Sequence, residues 1–386
     1  MNIALIIRDI EDIIKEACRY FSVITVTGPR QSGKTTLVKN LFADYQYYSL
    51  ENPDTKLLAL TDPLGFLQSH ETGIILDEAQ NAPELFSYIQ GLVDDNHQRK
   101  YILSGSSNFS LLKNITQSLA GRTAVFELLP LSYREASSLT QQKSIDEILF
   151  EGLYPAIHSG ENIPSFLYPN YVKTYLDRDV RDLLNVKNST QFHIFLRLCA
   201  GRIGSLFNAS DLAKEVGVSA TTIKEWLTIL QASYIVFLLP PYFENIGKRL
   251  TKQPKLYFID TGLACYLLDI ENHKQMSRDK MRGHLFENFV VTEFLKNRYN
   301  RGKESNLYFY RDSNQNEVDL ILQNGNNFDV TEIKSAMTYH PDFEKGIKYF
   351  SEIFKNRVIN KQVIYCGELE NPVGNIKLLN YKAMGN

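Results

Sequence analysis

Gly28, Gly33, Lys34 and Thr35 stand at the spacing GxxxxGK followed by Ser or Thr, the spacing of a loop that cradles phosphate groups. Glycines let the backbone aim its N–H groups at phosphate oxygens, and the helix that follows adds the positive end of its dipole. The candidate nucleotide site therefore runs through Gly28, Pro29, Arg30, Gln31, Ser32 and Gly33 to Lys34, Thr35 and Thr36. Lys34 would hold the β- and γ-phosphates of ATP, Thr35 would ligate Mg2+, and Thr36 would touch the α-phosphate. A β-branched run, SVITVTG, precedes the loop, and TTLVKNLF, helical in pattern, follows it.

Downstream, the apolar run GIIL ends in Asp77 and Glu78. Asp77 would hold the Mg2+ shell and Glu78 would orient or deprotonate the attacking water. A second acid directly after the metal acid favours hydrolysis over binding alone. A later strand ends in polar residues from Ser104 to Asn108, and Ser106 or Asn108 would sense the γ-phosphate unless the stretch is a plain turn with a helix cap. Arg122 reads either as a surface arginine or as a finger reaching a neighbouring subunit's γ-phosphate, which requires a homo-oligomer.

A further group lies near the C-terminus. Strand alternation puts Glu332 and Lys334 on one face, a turn at 325–327 pairs their strand with the one carrying Asp319, and the helical segment HLFENFVVTEFLKN carries Glu287. Asp319 and Glu332 are candidate Mg2+ ligands, Lys334 would hold or activate a water, and Glu287 would complete the set. The alternatives are a salt-bridge ladder on a sheet, or a catalytic-looking fold without activity.

Between the two groups lies a helix-turn-helix pattern. Leu212 to Val216 reads as one helix, Gly217 as the turn, and SATTIKEWLTILQ as a second helix capped by Ser219. Ile223, Trp226, Leu227 and Leu230 share its apolar face, leaving Thr221, Thr222, Lys224 and Glu225 outward. A strand over Tyr234–Leu239 and a basic loop with Lys248, Arg249, Lys252 and Lys255 would make the wing of a winged helix, resting on DNA phosphates. Packing or protein contact is the other use of such a unit.

These groups need elements to hold them. An amphipathic helix opens the chain, and strands over Tyr45–Leu50, Gly73–Leu76, Lys100–Ser104 and Thr123–Leu128 follow the phosphate-loop strand with helices between most of them. That alternation predicts an α/β domain with a five-stranded parallel sheet. With 386 residues, several domains are expected: residues 1–130 for the nucleotide domain, 131–190 for a helical lid or linker, 191–260 for the winged helix and 261–386 for the C-terminal α/β domain. The net charge of -2 gives no bulk attraction to nucleic acid, so any DNA contact is local. Four scattered cysteines exclude a disulfide framework and fit a cytoplasmic protein. No stretch is long and apolar enough for a membrane span, and the alternating charges of Asp177, Arg178, Asp179, Arg181 and Asp182 read as a solvated helix face.

With GPRQSGKTTL, IILDEAQN, LSGSSN and LAGRT in view, the chain resembles AAA-type P-loop ATPases. FIDTGLACYLL, RGHLFENFVVTEF and the EVD and EIK segments extend the likeness, across nearly the whole chain, to a prokaryotic group in which the ATPase precedes a C-terminal domain often of nuclease-like fold. Helix acid, strand acid and E-x-K resemble the PD-(D/E)XK nuclease arrangement. The resemblance implies an AAA-type core, ATP and Mg2+ as cofactors, and nucleotide-linked regulation. Three functions stay open: an ATPase coupled through a winged helix to DNA processing, an ATP-dependent switch whose C-terminal fold is a scaffold, and a protein-remodelling ATPase.

Overall fold

The computed structural model describes residues 6–106, 111, 115, 117–176, 189–243, 252–370 and 374–385. Asn108, the 177–182 charge cluster, Lys248 and Arg249 lie outside the described residues. The chain divides into two compact units. The first comprises Met1–Leu131, Ala232–Tyr234 and Arg298–Glu304; the second comprises Ser132–Gln231, Ile235–Asn297 and Ser305–Asn386.

The first unit carries α1 (Glu11–Ala17), β1 (Val23–Thr27), α2 (Lys34–Leu41), β2 (Gln46–Ser49), α3 (Pro53–Thr61), α4 (Pro63–Gln68), β3 (Ile74–Asp77), α5 (Leu85–Asp95), β4 (Tyr101–Gly105) and β5 (Thr123–Glu127). The strands form one parallel sheet in the order β2-β3-β4-β1-β5. Every residue of β1, β3 and β4 is buried, as expected for strands covered by helices on both faces. Leu76, Leu103, Phe86 and Ile89 belong to one core, and Ile24, Val26, Leu37 and Phe126 to the other. Local signals start the helices. Asn52 caps α3 by accepting from Asp54 N at 2.9 Å, and Asp62 caps α4 by accepting from Gly65 N at 3.0 Å, each with proline at the first helical position.

The second unit includes α6 (Ile145–Glu151), α7 (Pro164–Tyr171), α8 (Ser189–Ala200), α9 (Ala209–Val216), α10 (Ala220–Ala232), β6 (Val236–Leu239), β7 (Lys255–Phe258), α11 (Thr261–Leu267), α12 (Arg282–Asn300), β8 (Leu307–Arg311), β9 (Glu317–Asn324), β10 (Asn327–Lys334), α13 (Lys345–Phe354), β11 (Val358–Tyr365) and β12 (Lys377–Asn380). Gly217 ends α9 in the left-handed region at φ 76°, and Ser219 caps α10 by accepting from Thr222 N at 3.0 Å. Ile223, Trp226, Leu227 and Leu230 are buried. β6 and β7 form a two-stranded antiparallel sheet. The larger sheet has the order β12-β11-β10-β9-β8, antiparallel from β8 to β10 and parallel from β10 to β12. Phe328, Phe350, Phe354 and Tyr310 fill its core with ring centroids 4.2 to 6.3 Å apart. Asp260 caps α11 through Leu263 N and also accepts from Tyr168 OH on α7 at 2.8 Å.

Two expectations are corrected here. Strand β6 begins at Val236, because Tyr234 lies in the left-handed region at φ 54° and clusters with the first unit. Lys255 is not an exposed wing residue: it begins β7, and its side chain is 3% exposed among carboxylates.

Candidate functional site

In the first unit, β1 delivers the chain to the phosphate loop and α2 carries it away. Gly28 has φ 148°, and a Cβ there would sit 2.1 Å from the Leu128 carbonyl oxygen, so only glycine fits. Gln31 at φ 62° and Gly33 at φ 93° complete the left-handed turns that curl the loop. Lys34, on the first turn of α2, donates to the carbonyls of Gly28 at 3.0 Å and Pro29 at 2.8 Å. Burial lowers its ammonium to about 8, with Glu78 and Asp77 opposing and Arg30 adding to the fall. Ser32 is fully buried and its Oγ has no hydrogen-bond partner. Thr36 is exposed on α2.

Asp77, at the end of β3, gathers four donors. Its Oδ2 accepts from Thr35 Oγ1 and Tyr47 OH, both at 2.8 Å, and its Oδ1 accepts from Ser104 Oγ and from Glu78 N at 3.1 Å. Strand order explains the convergence: β2 and β4 flank β3, so Tyr47 and Ser104 arrive from either side. Burial first, then the hydrogen bond and charge of Asp77, push the Tyr47 phenol upward, and Lys39 Nζ sits 3.6 Å from its ring centroid. Glu78 is a non-glycine residue at φ 52°, a conformation that surrounding contacts must hold. Its Oε2 accepts from Gln80 Nε2, Ser106 Oγ at 3.1 Å and Ser106 N at 3.4 Å.

The structure thus brings Lys34, Thr35, Asp77, Glu78, Ser104 and Ser106 to one end of the parallel sheet. Arg122 is elsewhere engaged: its Nε and Nη2 grip Asp94 at 2.7 and 2.8 Å. Two contributors escaped the sequence reading. One is Tyr47. The other is Arg8, buried, whose guanidinium donates to the Ser32 carbonyl and the Leu129 carbonyl, both at 2.8 Å, bracing the loop from behind. An arginine just ahead of the amphipathic opening helix was the available signal.

The second unit assembles the other group. Glu287 on α12 accepts from Tyr257 OH at 2.6 Å and Lys255 Nζ at 3.1 Å. Lys334 Nζ lies 3.0 Å from Asp319 Oδ2 and 2.7 Å from Glu332 Oε2. Ile333 N also donates to Asp319 Oδ2 at 2.8 Å. Burial and then the Asp319 charge raise the Glu332 carboxyl well above its ordinary range. Burial would raise Asp319 too, but Lys334 and Lys255 outweigh it and hold that carboxyl low. Lys255 and Tyr257 were not expected here, although alternation in KLYF puts both on one face of β7.

Comparison with known proteins gives the class first. The first unit has the five-stranded parallel α/β sheet of a P-loop ATPase domain, and residues 20–137 match the AAA domain family. Residues 142–274 and 282–384 each match a further family described as a domain of unknown function. An uncharacterized protein of Mycobacterium tuberculosis is 30% identical over 372 residues, covering 95% of this chain and 81% of the relative, and one of Mycobacterium bovis matches equally. An uncharacterized protein of Methanocaldococcus jannaschii is 25% identical over 366 residues, covering 86% and 78%. The chain belongs to the same family as the two mycobacterial proteins. Among solved structures, a Walker-type ATPase of Pyrococcus abyssi is 13% identical, covering 67% of this chain and 94% of its own, with a TM-score of 0.45. A signal-transduction ATPase of Pyrococcus horikoshii with a tetratricopeptide repeat sensor is 14% identical, covering 74% and 46%, with a TM-score of 0.24. Among the described residues, no helix is long and apolar enough to cross a membrane.

Proposed function

We propose that the chain binds and hydrolyses MgATP in its first unit and acts as a nucleotide-dependent switch on DNA. The observation carrying this reading is the convergence of Thr35 and Asp77 at 2.8 Å beside Lys34, with Glu78 adjacent. The residues fit the cofactor. The loop curls through left-handed Gln31 and Gly33, the Ser32 hydroxyl is buried without a partner, and Thr35 with Asp77 offers hard oxygens for Mg2+. Lys34 would bind the β- and γ-phosphates and Glu78 would take the proton of the attacking water. Bound Mg2+ would supply charge neutralisation at the phosphates.

DNA contact is supported by the order α8, α9, α10, then the β6–β7 ribbon, which is that of a winged helix, with Thr221 and Lys224 exposed on α10. Its mixed charge, Lys224 beside Glu225, favours weak and salt-dependent binding. The C-terminal order of helix, three strands, helix and two strands supports a PD-(D/E)XK-like fold. There the switch reading gains over DNA cleavage, because Lys255 and Lys334 engage the carboxylates.

The test combines phosphate release with retention and cleavage of linear and circular duplex, with and without ATP. ATP-dependent, salt-sensitive retention without cutting is expected. Mg2+-dependent cutting abolished by Asp319→Ala would favour the nuclease reading, and salt-insensitive retention or none would remove DNA from the account.

A further inference from the structure

The second unit concentrates charge around Lys255. Its ammonium lies 3.1 Å from Glu287 Oε1 and 2.5 Å from Glu317 Oε1, while Arg311 Nη1 lies 3.4 Å from Glu317 Oε2. Lys334 bridges Asp319 and Glu332. Four carboxylates (Glu287, Glu317, Asp319, Glu332) therefore meet three cations (Lys255, Lys334, Arg311).

A divalent ion needs hard oxygens free to point at it and an excess of negative charge. Here three cations already stand among the four carboxylates and take up an oxygen of each. Every carboxylate already has an ammonium or guanidinium against it, and among the described residues no group of three or more His, Cys, Asp or Glu is disposed to hold a metal ion. Lys255 is well placed for that role: its side chain is 3% exposed, it starts β7, and it reaches carboxylates on both α12 and β9. An opposite charge so placed is costly to remove from a buried site, because its partners are left uncompensated.

We propose that Lys255 is a built-in substitute for a divalent cation: it holds the α12 and β9 carboxylates together and keeps metal ions out of the cluster. The acids then knit β7, α12, β9 and β10 into one unit, and Mg2+-dependent hydrolysis at this cluster is shut off. The inference deepens the switch reading of the C-terminal fold, and it is independent of ATP turnover.

The test is Mn2+ uptake by the full nucleotide-free chain, followed by electron paramagnetic resonance of the free ion. Wild type and Asp319→Asn are expected to take up the same amount. Lys255→Gln is expected to gain a site that adding Asp319→Asn removes. Wild-type uptake that Asp319→Asn abolishes overturns the proposal, as does a folded Lys255→Gln that gains nothing. If Lys255→Gln does not fold, Fe2+-generated hydroxyl radicals applied to the wild-type chain decide. Backbone cleavage next to Glu287, Asp319 or Glu332 contradicts the lock, and its absence there supports it. Loss of ATPase activity would leave all these readouts unchanged, so the two readings fail separately.

Discussion

Tyr47 donates its hydroxyl to Asp77 Oδ2 at 2.8 Å, the same oxygen that accepts Thr35 at 2.8 Å. A metal ion recruiting Thr35 would leave Tyr47 and Ser104 to hold the carboxylate in place. Tyr47 is thus a positioning residue. Tyr47→Phe removes a hydrogen bond to a charged group, worth about 1.5–3 kcal/mol. The Mg2+ concentration for half-maximal phosphate release is expected to rise by about tenfold or more. ATP affinity measured in chelator is expected to stay unchanged; a loss of both together would make Tyr47 merely structural.

Lys34 sets a pH dependence. Burial lowers its ammonium to about 8 in the nucleotide-free chain, and phosphates beside it would raise it again. Below pH 8 the lysine is charged in both forms and affinity is flat with respect to this group. Above it, binding takes up a proton, so affinity falls by up to about tenfold per pH unit. Fold stability moves the other way. The unfolded chain holds the proton more tightly, so stability rises as pH climbs from about 8 toward the ordinary lysine value of 10.5. Nucleotide titrations on either side of pH 8 check the first, and an affinity that stays flat above it would contradict this role for Lys34. Urea midpoints over the same interval check the second.

Arg8 braces the phosphate loop through two charged hydrogen bonds to backbone carbonyls. Arg8→Ala is expected to cost about 3 kcal/mol of stability and to weaken ATP binding. Arg8→Lys should recover little, since lysine lacks the planar fork that reaches both carbonyls. Urea denaturation with an unchanged slope and a lower midpoint is the readout. An unchanged midpoint would mean the brace contributes nothing.

Arg122 is held by Asp94 in the single chain, so a finger role requires it to let go toward a second copy. Mixing Arg122→Ala with Lys34→Ala supplies an intact nucleotide site from one variant and an intact arginine from the other. Partial recovery of phosphate release is expected if the arginine acts between subunits. A mixture no better than Arg122→Ala alone, when that variant is impaired, contradicts the finger.

How much was legible differs by residue. Lys34 and Thr35 follow from spacing alone, because the loop is contiguous in sequence. Asp77 and Glu78 follow from an apolar run ending in acids. Tyr47 was not legible, because it reaches Asp77 only through the order β2-β3-β4-β1-β5, which sequence adjacency does not dictate. Lys255 was misplaced for a related reason. A lysine after a basic loop looks solvated, and only the carboxylates arriving from α12 and β9 make its burial tolerable. Tyr234 read as the start of a strand because it is β-favouring. Its backbone is left-handed instead, and its hydroxyl donates to Glu127 Oε1 at 2.9 Å and accepts from Thr27 Oγ1.

The central claim, that Lys34, Thr35, Asp77 and Glu78 make a working ATPase, is tested most directly by phosphate release from MgATP. Wild type would be compared with Lys34→Ala and Glu78→Gln, with ATP binding measured in parallel. The expected result is release by wild type, loss of binding in Lys34→Ala, and retained binding with at least about a hundredfold slower turnover in Glu78→Gln. Equal release from all three, or none from a wild-type protein that binds no ATP, would contradict the account.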